Sequence, residues 1–335
     1  MVQKLSIIIV NYKTPHLVLN CIESIYKYPT NNIEIIVVDN YSNDDTEIQL
    51  SLKYPDVKFL QVGYNAGFAR ANNKGLAIAT GENILLLNSD TVNLNDAINQ
   101  CNVLLTQSNF LAAGVQLLNA DFSPQISGSY VMKGGLNYLL PLPYIGNFLK
   151  YIATILNVKK PSIEKANNTV EVDWINGAFL MIKKEILTKA GFLDEDFFLY
   201  AEEAEWCSRI KKYGKLAIYG HLNVVHLQGE SANQSFMTAG KGYFNLFDKK
   251  GLQLIVSNWL RIRKEFGLGW FFLIVVIYLF TIPIFYIGVM AEKIIFPKKC
   301  IFQISQCKSY AKNMIRAIKL IPNMISNKPY FYKML

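Results

Sequence analysis

Leu5-Ser6-Ile7-Ile8-Ile9-Val10-Asn11-Tyr12-Lys13 begins with an almost unbroken aliphatic run and ends on polar residues. The run is too short for a signal-peptide apolar region and has no small-residue cleavage site, so it reads as a buried strand. Comparable runs recur at 33–38, 57–62, 84–87 and 111–115, with helical stretches between them at 16–26, 45–53, 66–79 and 94–106. Continuous apolar strands separated by helices imply an α/β protein with a mostly parallel sheet covered on both faces. Such sheets bind ligands where the loops converge at the carboxyl ends of the strands. The polar residues after each strand are therefore the first candidates for function.

Composition supports this reading. The chain has 335 residues, 51% hydrophobic and 18% charged, which excludes a disordered or fibrous protein. Lys+Arg exceed Asp+Glu by 34 to 25, but residues 292–335 hold nine of the basic residues and one acid, Glu292. A basic tail on a nearly neutral body beside a long apolar run points to anionic membrane lipid and away from nucleic acid. The five cysteines have neither CxxC nor zinc-like spacing, so no disulfide framework or structural metal is expected and a reducing compartment fits.

Residues 119–172 carry Gly128, Gly134, Gly135, Pro141, Pro143 and Pro161, which break any long period and suggest a variable insertion or lid. A patterned block follows at 173–226, then a closing helix at 236–249. These divisions give a first domain at 1–250 and a membrane-association region at 251–335. In the second, Leu252, Ile255, Val256, Trp259 and Leu260 recur at helical spacing, as in a helix lying on a bilayer. Residues 266–291 contain no charge and are long enough to cross the hydrocarbon, although Pro283 interrupts them. Because both flanks are basic, a re-entrant hairpin is expected ahead of a single span, and a soluble-domain or interface helix is the third reading.

Three strand ends stand out. Asp39, in Val38-Asp39-Asn40-Tyr41-Ser42, could accept hydrogen bonds from a ribose or base, or belong to a helix cap. Asn88-Ser89-Asp90 puts one acid past the fourth run, a weak cation site unless another ligand joins it. His226 ends the apolar run 222–225 and is a candidate partner, although a lone His there also suits a core position. A fourth signal is Tyr200-Ala201-Glu202-Glu203-Ala204-Glu205-Trp206. Leu199, Glu203, Trp206, Ile210 and Tyr213 share one helical face, which turns Glu203 inward and leaves Glu202 and Glu205 as salt-bridge partners or solvated charges. A buried carboxylate would be a stronger general base. The other reading is an exposed acidic first turn favoured by the helix dipole.

These pieces, taken in order with Asn65-Ala66-Gly67 through Asn73, Trp174-Ile175-Asn176-Gly177 and His226–Ser231, resemble the inverting family 2 glycosyltransferases, especially rhamnosyltransferase-like bacterial members. The resemblance covers about residues 4–250. It implies a GT-A fold: a nucleotide-binding, Rossmann-like sheet joined to an acceptor-binding half. It assigns Asn11, Tyr12, Asp39, Asn40, Ser42, Asn65, Gly67, Asn73, Asn88 and Asp90 to the nucleotide-sugar side, and Trp174 and Gly177 to the acceptor side. It makes Asp90 and His226 ligands of Mg²⁺ or Mn²⁺, and Glu203 the catalytic base with Glu202 in reserve. The usual acids are replaced by Glu at 203 and by Asn at 88.

The implied activity is transfer from a nucleotide diphosphate sugar, dTDP-rhamnose or a UDP-sugar, to a hydroxyl of a glycan or polyprenyl-diphosphate-linked acceptor. The setting would be the cytoplasmic face of the plasma membrane, in surface-polysaccharide assembly, with the protein peripheral or monotopic. A polyprenyl-phosphate sugar synthase and a non-catalytic nucleotide-binding scaffold are the rival readings. A processive synthase is disfavoured because no QxxRW occurs, and a dinucleotide oxidoreductase because no GxGxxG follows the first strand.

Overall fold

The computed structural model describes residues 3–29, 31–158, 160–227, 245–296 and 299–334. It begins with the expected alternation: β1 (Leu5–Asn11), α1 (Pro15–Tyr26), β2 (Ile33–Asp39), α2 (Thr46–Lys53), β3 (Lys58–Gln61), α3 (Gly67–Ile78), β4 (Asn83–Asn88), β5 (Thr91–Asn93), α4 (Ala97–Gln107) and β6 (Phe110–Leu118). Next come β7 (Gly128–Ser129), α5 (Ile145–Ile155), β8 (Ser162–Ile163), β9 (Thr169–Val172), β10 (Trp174–Ile175), β11 (Phe179–Lys183), α6 (Leu187–Ala190), α7 (Glu202–Lys211) and β12 (Lys215–His226). The chain continues through α8 (Lys249–Ile295), α9 (Ile304–Ile318) and α10 (Ile321–Ser326).

The main sheet has the order β3-β2-β1-β4-β11-β6-β12-β5, with β9 also paired to β12. Its first half is wholly parallel, and β11 enters antiparallel between β4 and β6. Period-two alternation divides the core between the two faces. Leu5, Ile7 and Ile9 pack with Val18, Ile22, Ile98 and Leu105 of α1 and α4, whereas Ile8 packs with Ala69, Leu76, Trp206 and Ile210 of α3 and α7. This double cover explains why the strands read as unbroken apolar runs.

The chain separates into two compact units. Unit 1 takes the described residues within Met1–Tyr130, Ser162–Phe198 and Glu202–Met237, and unit 2 those within Val131–Pro161, Leu199–Ala201 and Thr238–Leu335. The segment 119–172 is thus divided, its central part joining the residues beyond 250.

In unit 2 two expectations are corrected. Leu252, Ile255, Val256, Trp259 and Leu260 are buried in protein and do not lie on a bilayer. Periodicity reveals an apolar face without saying what covers it. The polar residues of the same turns are buried with protein partners: Gln253 Nε2 donates to Tyr332 O at 3.0 Å, Ser257 Oγ to Leu199 O at 2.7 Å, and Arg261 pairs with Glu265. The hairpin expected within 266–291 is likewise absent, because helical geometry continues from 268 to 295 through Pro283. The break in α8 lies earlier, at Gly267, whose φ of 84° and ψ of −175° suit glycine alone. The helix expected at 236–249 lies mostly outside the described residues, and α8 begins only at Lys249.

Candidate active site

The carboxyl ends of β1, β2 and β4 are polar and buried. Asn11 at the end of β1 donates through Nδ2 to Asp39 Oδ1 at 2.9 Å, Ser42 Oγ at 3.0 Å and Thr46 Oγ1 at 3.0 Å. Asp39 Oδ2 accepts from the Ser42 amide at 2.9 Å, and Ser42 Oγ accepts from the Lys13 amide at 2.8 Å. The loops after β1 and β2 are therefore tied into one wall, with Tyr12 half-buried beside it. Lys13, Tyr41 and Asn43 take left-handed backbone conformations there, a departure that concentrates at binding loops.

A second wall forms at the start of α3. Asn40 Oδ1 accepts from the Ala66 amide at 2.7 Å, and its Nδ2 donates to Asn65 Oδ1 at 3.1 Å. Gly67 has φ +75°, and a Cβ there would stand 2.2 Å from Phe198 O, so only glycine lets α3 approach the segment leading to the acidic helix. Asn73 is directed away from this wall. Its amide clamps the Leu193 backbone in both directions, at 2.9 and 3.0 Å, and so positions the 193–195 loop.

Asp90 and His226, 136 residues apart, meet because β5 pairs antiparallel with β12 and sets Thr91 opposite His226. Asp90 Oδ1 lies 3.4 Å from His226 Nε2, and each residue is only 3% exposed. Asn88 Nδ2 is also 3.4 Å from that nitrogen. The other face of the ring is held by Gln125, a residue the sequence did not single out. Gln125 Nε2 donates to His226 O at 2.6 Å and to Asn119 Oδ1 at 2.8 Å, which fixes its amide so that Oε1 faces His226 Nδ1 at 3.0 Å. That contact places a proton on Nδ1, and in the neutral ring the Nε2 lone pair then faces Asp90.

Asp90 Oδ1 is buried without a hydrogen-bond partner. A buried carboxylate oxygen beside an imidazole lone pair fits a divalent cation, with substrate oxygens completing the shell. Among the described residues no group of three His, Cys, Asp or Glu forms a complete protein-only cage.

The acidic helix differs from expectation. Glu202 is buried and Glu203 is half-buried, the reverse of the predicted arrangement. Tyr200 and Ala201 are left-handed, so the helix starts at Glu202 and Leu199 is not part of its face. Counted from the true start, Glu202, Trp206 and Ile210 share the inward stripe at spacings of four. One Glu202 carboxylate oxygen has no partner, and burial reinforced by the charge of Glu203 pushes its pKa well above the ordinary range. Glu205 bonds Arg209 at 2.8 Å, as a salt-bridge partner should.

Glu203 lies against Gly177, where an added Cβ would be 3.3 Å from its Cγ. Gly177 precedes Ala178, whose carbonyl accepts from the Asn88 amide at 3.1 Å. Short contacts thus connect Glu203 through the β10–β11 turn to the end of β4 that carries Asp90. Trp174, in β10, pairs with Ser129 of β7 and has a buried indole N–H without a partner. The stretch after His226 expected to complete its motif, 228–231, lies outside the described residues.

The family model "Glycosyl transferase family 2" matches residues 6–118, which contain the first two walls and Asp90. The chain is 25% identical to the low-salt glycan biosynthesis hexosyltransferase Agl10 of Haloferax volcanii, over 79% of this chain and 86% of that protein. It is 24% identical to the N-acetylglucosaminyl-diphospho-decaprenol L-rhamnosyltransferase of Mycobacterium tuberculosis, over 56% of this chain and 64% of that one. Among solved structures, the mannosyltransferase PcManGT of Pyrobaculum calidifontis, in complex with GDP-Man and Mn²⁺, superposes with a TM-score of 0.52 at 15% identity, covering 98% of this chain and 89% of the other.

Proposed function

We propose that this chain, which matches the family 2 glycosyltransferase model over residues 6–118 and has a GT-A fold, acts in glycan or polysaccharide biosynthesis and transfers one sugar, with inversion, from a nucleoside diphosphate donor to a hydroxyl of a lipid-linked glycan. dTDP-rhamnose or a UDP-hexose is the donor in this reading, and a polyprenyl diphosphate carries the acceptor at the cytoplasmic face of the membrane. The observation that carries it is the buried pair Asp90 and His226, with an orphaned carboxylate oxygen and a fixed imidazole lone pair at the mouth of β4. A relative that acts on a decaprenyl diphosphate-linked sugar supports the acceptor class.

In this mechanism Asn11, Asp39 and Ser42 form the wall against the nucleoside, with Asn40, Asn65 and Gly67 shaping the adjoining loop. Asp90 and His226 would hold a Mg²⁺ or Mn²⁺ ion, which when bound neutralises charge on the leaving diphosphate. Glu203, half-open and backed by Gly177, takes the proton from the acceptor hydroxyl. The acceptor oxygen forms its bond to the anomeric carbon as the carbon–diphosphate bond breaks, so no covalent sugar-enzyme intermediate is required. Glu202 stays in reserve: burial raises its basicity, but its enclosed carboxyl is less open to an acceptor hydroxyl than that of half-buried Glu203.

The test is to incubate the full-length protein in membranes with a panel of nucleotide sugars and a lipid-linked acceptor, following nucleoside diphosphate release and product. A donor-specific, acceptor-dependent release that is abolished by chelator and restored by Mn²⁺ is expected. Unchanged transfer in excess chelator would remove Asp90 and His226 from the cation role, and transfer to a bare polyprenyl phosphate would replace the acceptor assignment.

A further inference from the structure

We infer that unit 2 is a monotopic membrane module in which the part of α8 after Gly267, residues 268–295, lies flat in a single anionic leaflet and crosses no bilayer. Residues 268–295 form 28 residues of helix, about 42 Å long, against a hydrocarbon core of about 30 Å. At 100° per residue, Phe272, Val276, Phe280, Ile284, Ile287 and Ile294 fall within an arc of about 120°, and all six are exposed. The opposite face, with Phe271, Ile274, Tyr278, Phe285 and Val289, is buried within unit 2. Protein covers one side of the helix lengthwise, and a continuous apolar strip remains on the other.

The neighbour on the covered side decides the orientation. Tyr310 of α9 donates to Tyr278 O at 2.9 Å, and its ring lies 6.0 Å from that of Phe285. These contacts fall at the midpoint of 268–295. Within one turn of Tyr310, Lys308 and Lys312 are exposed, and Arg316 and Lys319 continue the stripe opposite the buried Cys307, Met314 and Ala317. Were α8 upright, Lys308 and Lys312 would stand near the bilayer midplane, the costliest depth for a charge. With α8 in the plane of the interface, the strip enters the acyl region and the cations of α9 can reach headgroup phosphates.

The occupant of the strip is therefore an anionic lipid surface, complementary to nine basic residues and one acid in 292–335. An in-plane helix also keeps both basic flanks of the apolar segment on one side of the membrane, which a single span cannot do. This inference concerns unit 2 alone and is read out without any sugar transfer.

The experiment uses the full chain with Cys300→Ser and single cysteines in place of Phe272, Phe280, Ile287 or Ile294, all outward positions that leave the packed face untouched. Each variant is labelled with an environment-sensitive fluorophore and mixed with phosphatidylcholine vesicles with or without phosphatidylglycerol. Quenchers at defined lipid depths then locate each label. Flat insertion predicts one shared shallow depth for all four, found with phosphatidylglycerol, and at least tenfold weaker vesicle binding for Lys312→Glu with Arg316→Glu. A graded depth spanning up to about 33 Å between positions 272 and 294, absence of vesicle binding, or burial of the labels in a lipid-free dimer would overturn it.

Discussion

Replacing Gln125 by Ala tests the cation site through a residue that would not touch the cation. The change removes the acceptor 3.0 Å from His226 Nδ1 and the donor 2.6 Å from His226 O. The ring then loses the contact that fixes its proton on Nδ1, and the Nε2 lone pair is no longer held toward Asp90, 3.4 Å away. Removing such an orienting partner lowers metal affinity by roughly 10–100-fold, or about 1.4–2.7 kcal/mol. The four lost hydrogen bonds, to His226 Nδ1 and O, Asn119 Oδ1 and Leu118 O, lower stability by about 2–6 kcal/mol in addition. The assay is titration of purified protein with Mn²⁺, detecting free ion by electron paramagnetic resonance, beside a denaturation curve without metal. Gln125→Glu keeps an acceptor for Nδ1 but loses the donations to His226 O and Asn119, so near-native Mn²⁺ affinity with lowered stability is expected. Affinity for Gln125→Ala within twofold of the unaltered protein, in a chain that remains folded, would refute this account of His226.

Three further outcomes rest on Glu202, Gly177 and Gly67. Glu202 holds a proton in the folded state that the unfolded chain releases above its ordinary value of 4.5. Stability should therefore fall with rising pH from that value upward, by about 1.4 kcal/mol per unit while the folded group stays protonated. Glu202→Gln should flatten that slope in denaturation measured at pH 5, 6.5 and 8, and identical slopes would contradict the burial assigned to this carboxyl. Gly177→Ala brings a methyl 3.3 Å from Glu203 Cγ, and a displacement of a few tenths of an ångström should lower kcat by up to about tenfold with donor KM little changed. Gly67→Ala meets both a positive φ and the Phe198 carbonyl, so a loss of at least about 1–3 kcal/mol is expected in chemical denaturation.

The parallel half of the sheet was legible because strands buried on both faces leave long β-branched runs, and β1, β2 and β4 lie within a residue or two of the runs that announced them. The strand-end residues were legible for the same reason. The phase of α7 was not: it depends on two left-handed residues, Tyr200 and Ala201, neither a glycine, and without them the count from Leu199 turned the wrong glutamate inward. Gln125 carried no local signal, because its role arises only when the turn after β6 meets the end of β12. The core of unit 2 was misread for a more general reason. An apolar helical stripe such as Leu252 to Leu260 has the same pattern against protein as against lipid, and only the buried partners of Gln253, Ser257 and Arg261 distinguish the two.

The most direct test of the catalytic assignment compares steady-state transfer by Glu203→Gln and Glu202→Gln with the unaltered protein, at saturating donor and acceptor. Loss of the Glu203 base should lower kcat by roughly 10²–10⁴-fold while donor KM stays close to normal, and Glu202→Gln should retain most of the rate. A Glu203→Gln enzyme that turns over normally beside an inactive Glu202→Gln enzyme would contradict it.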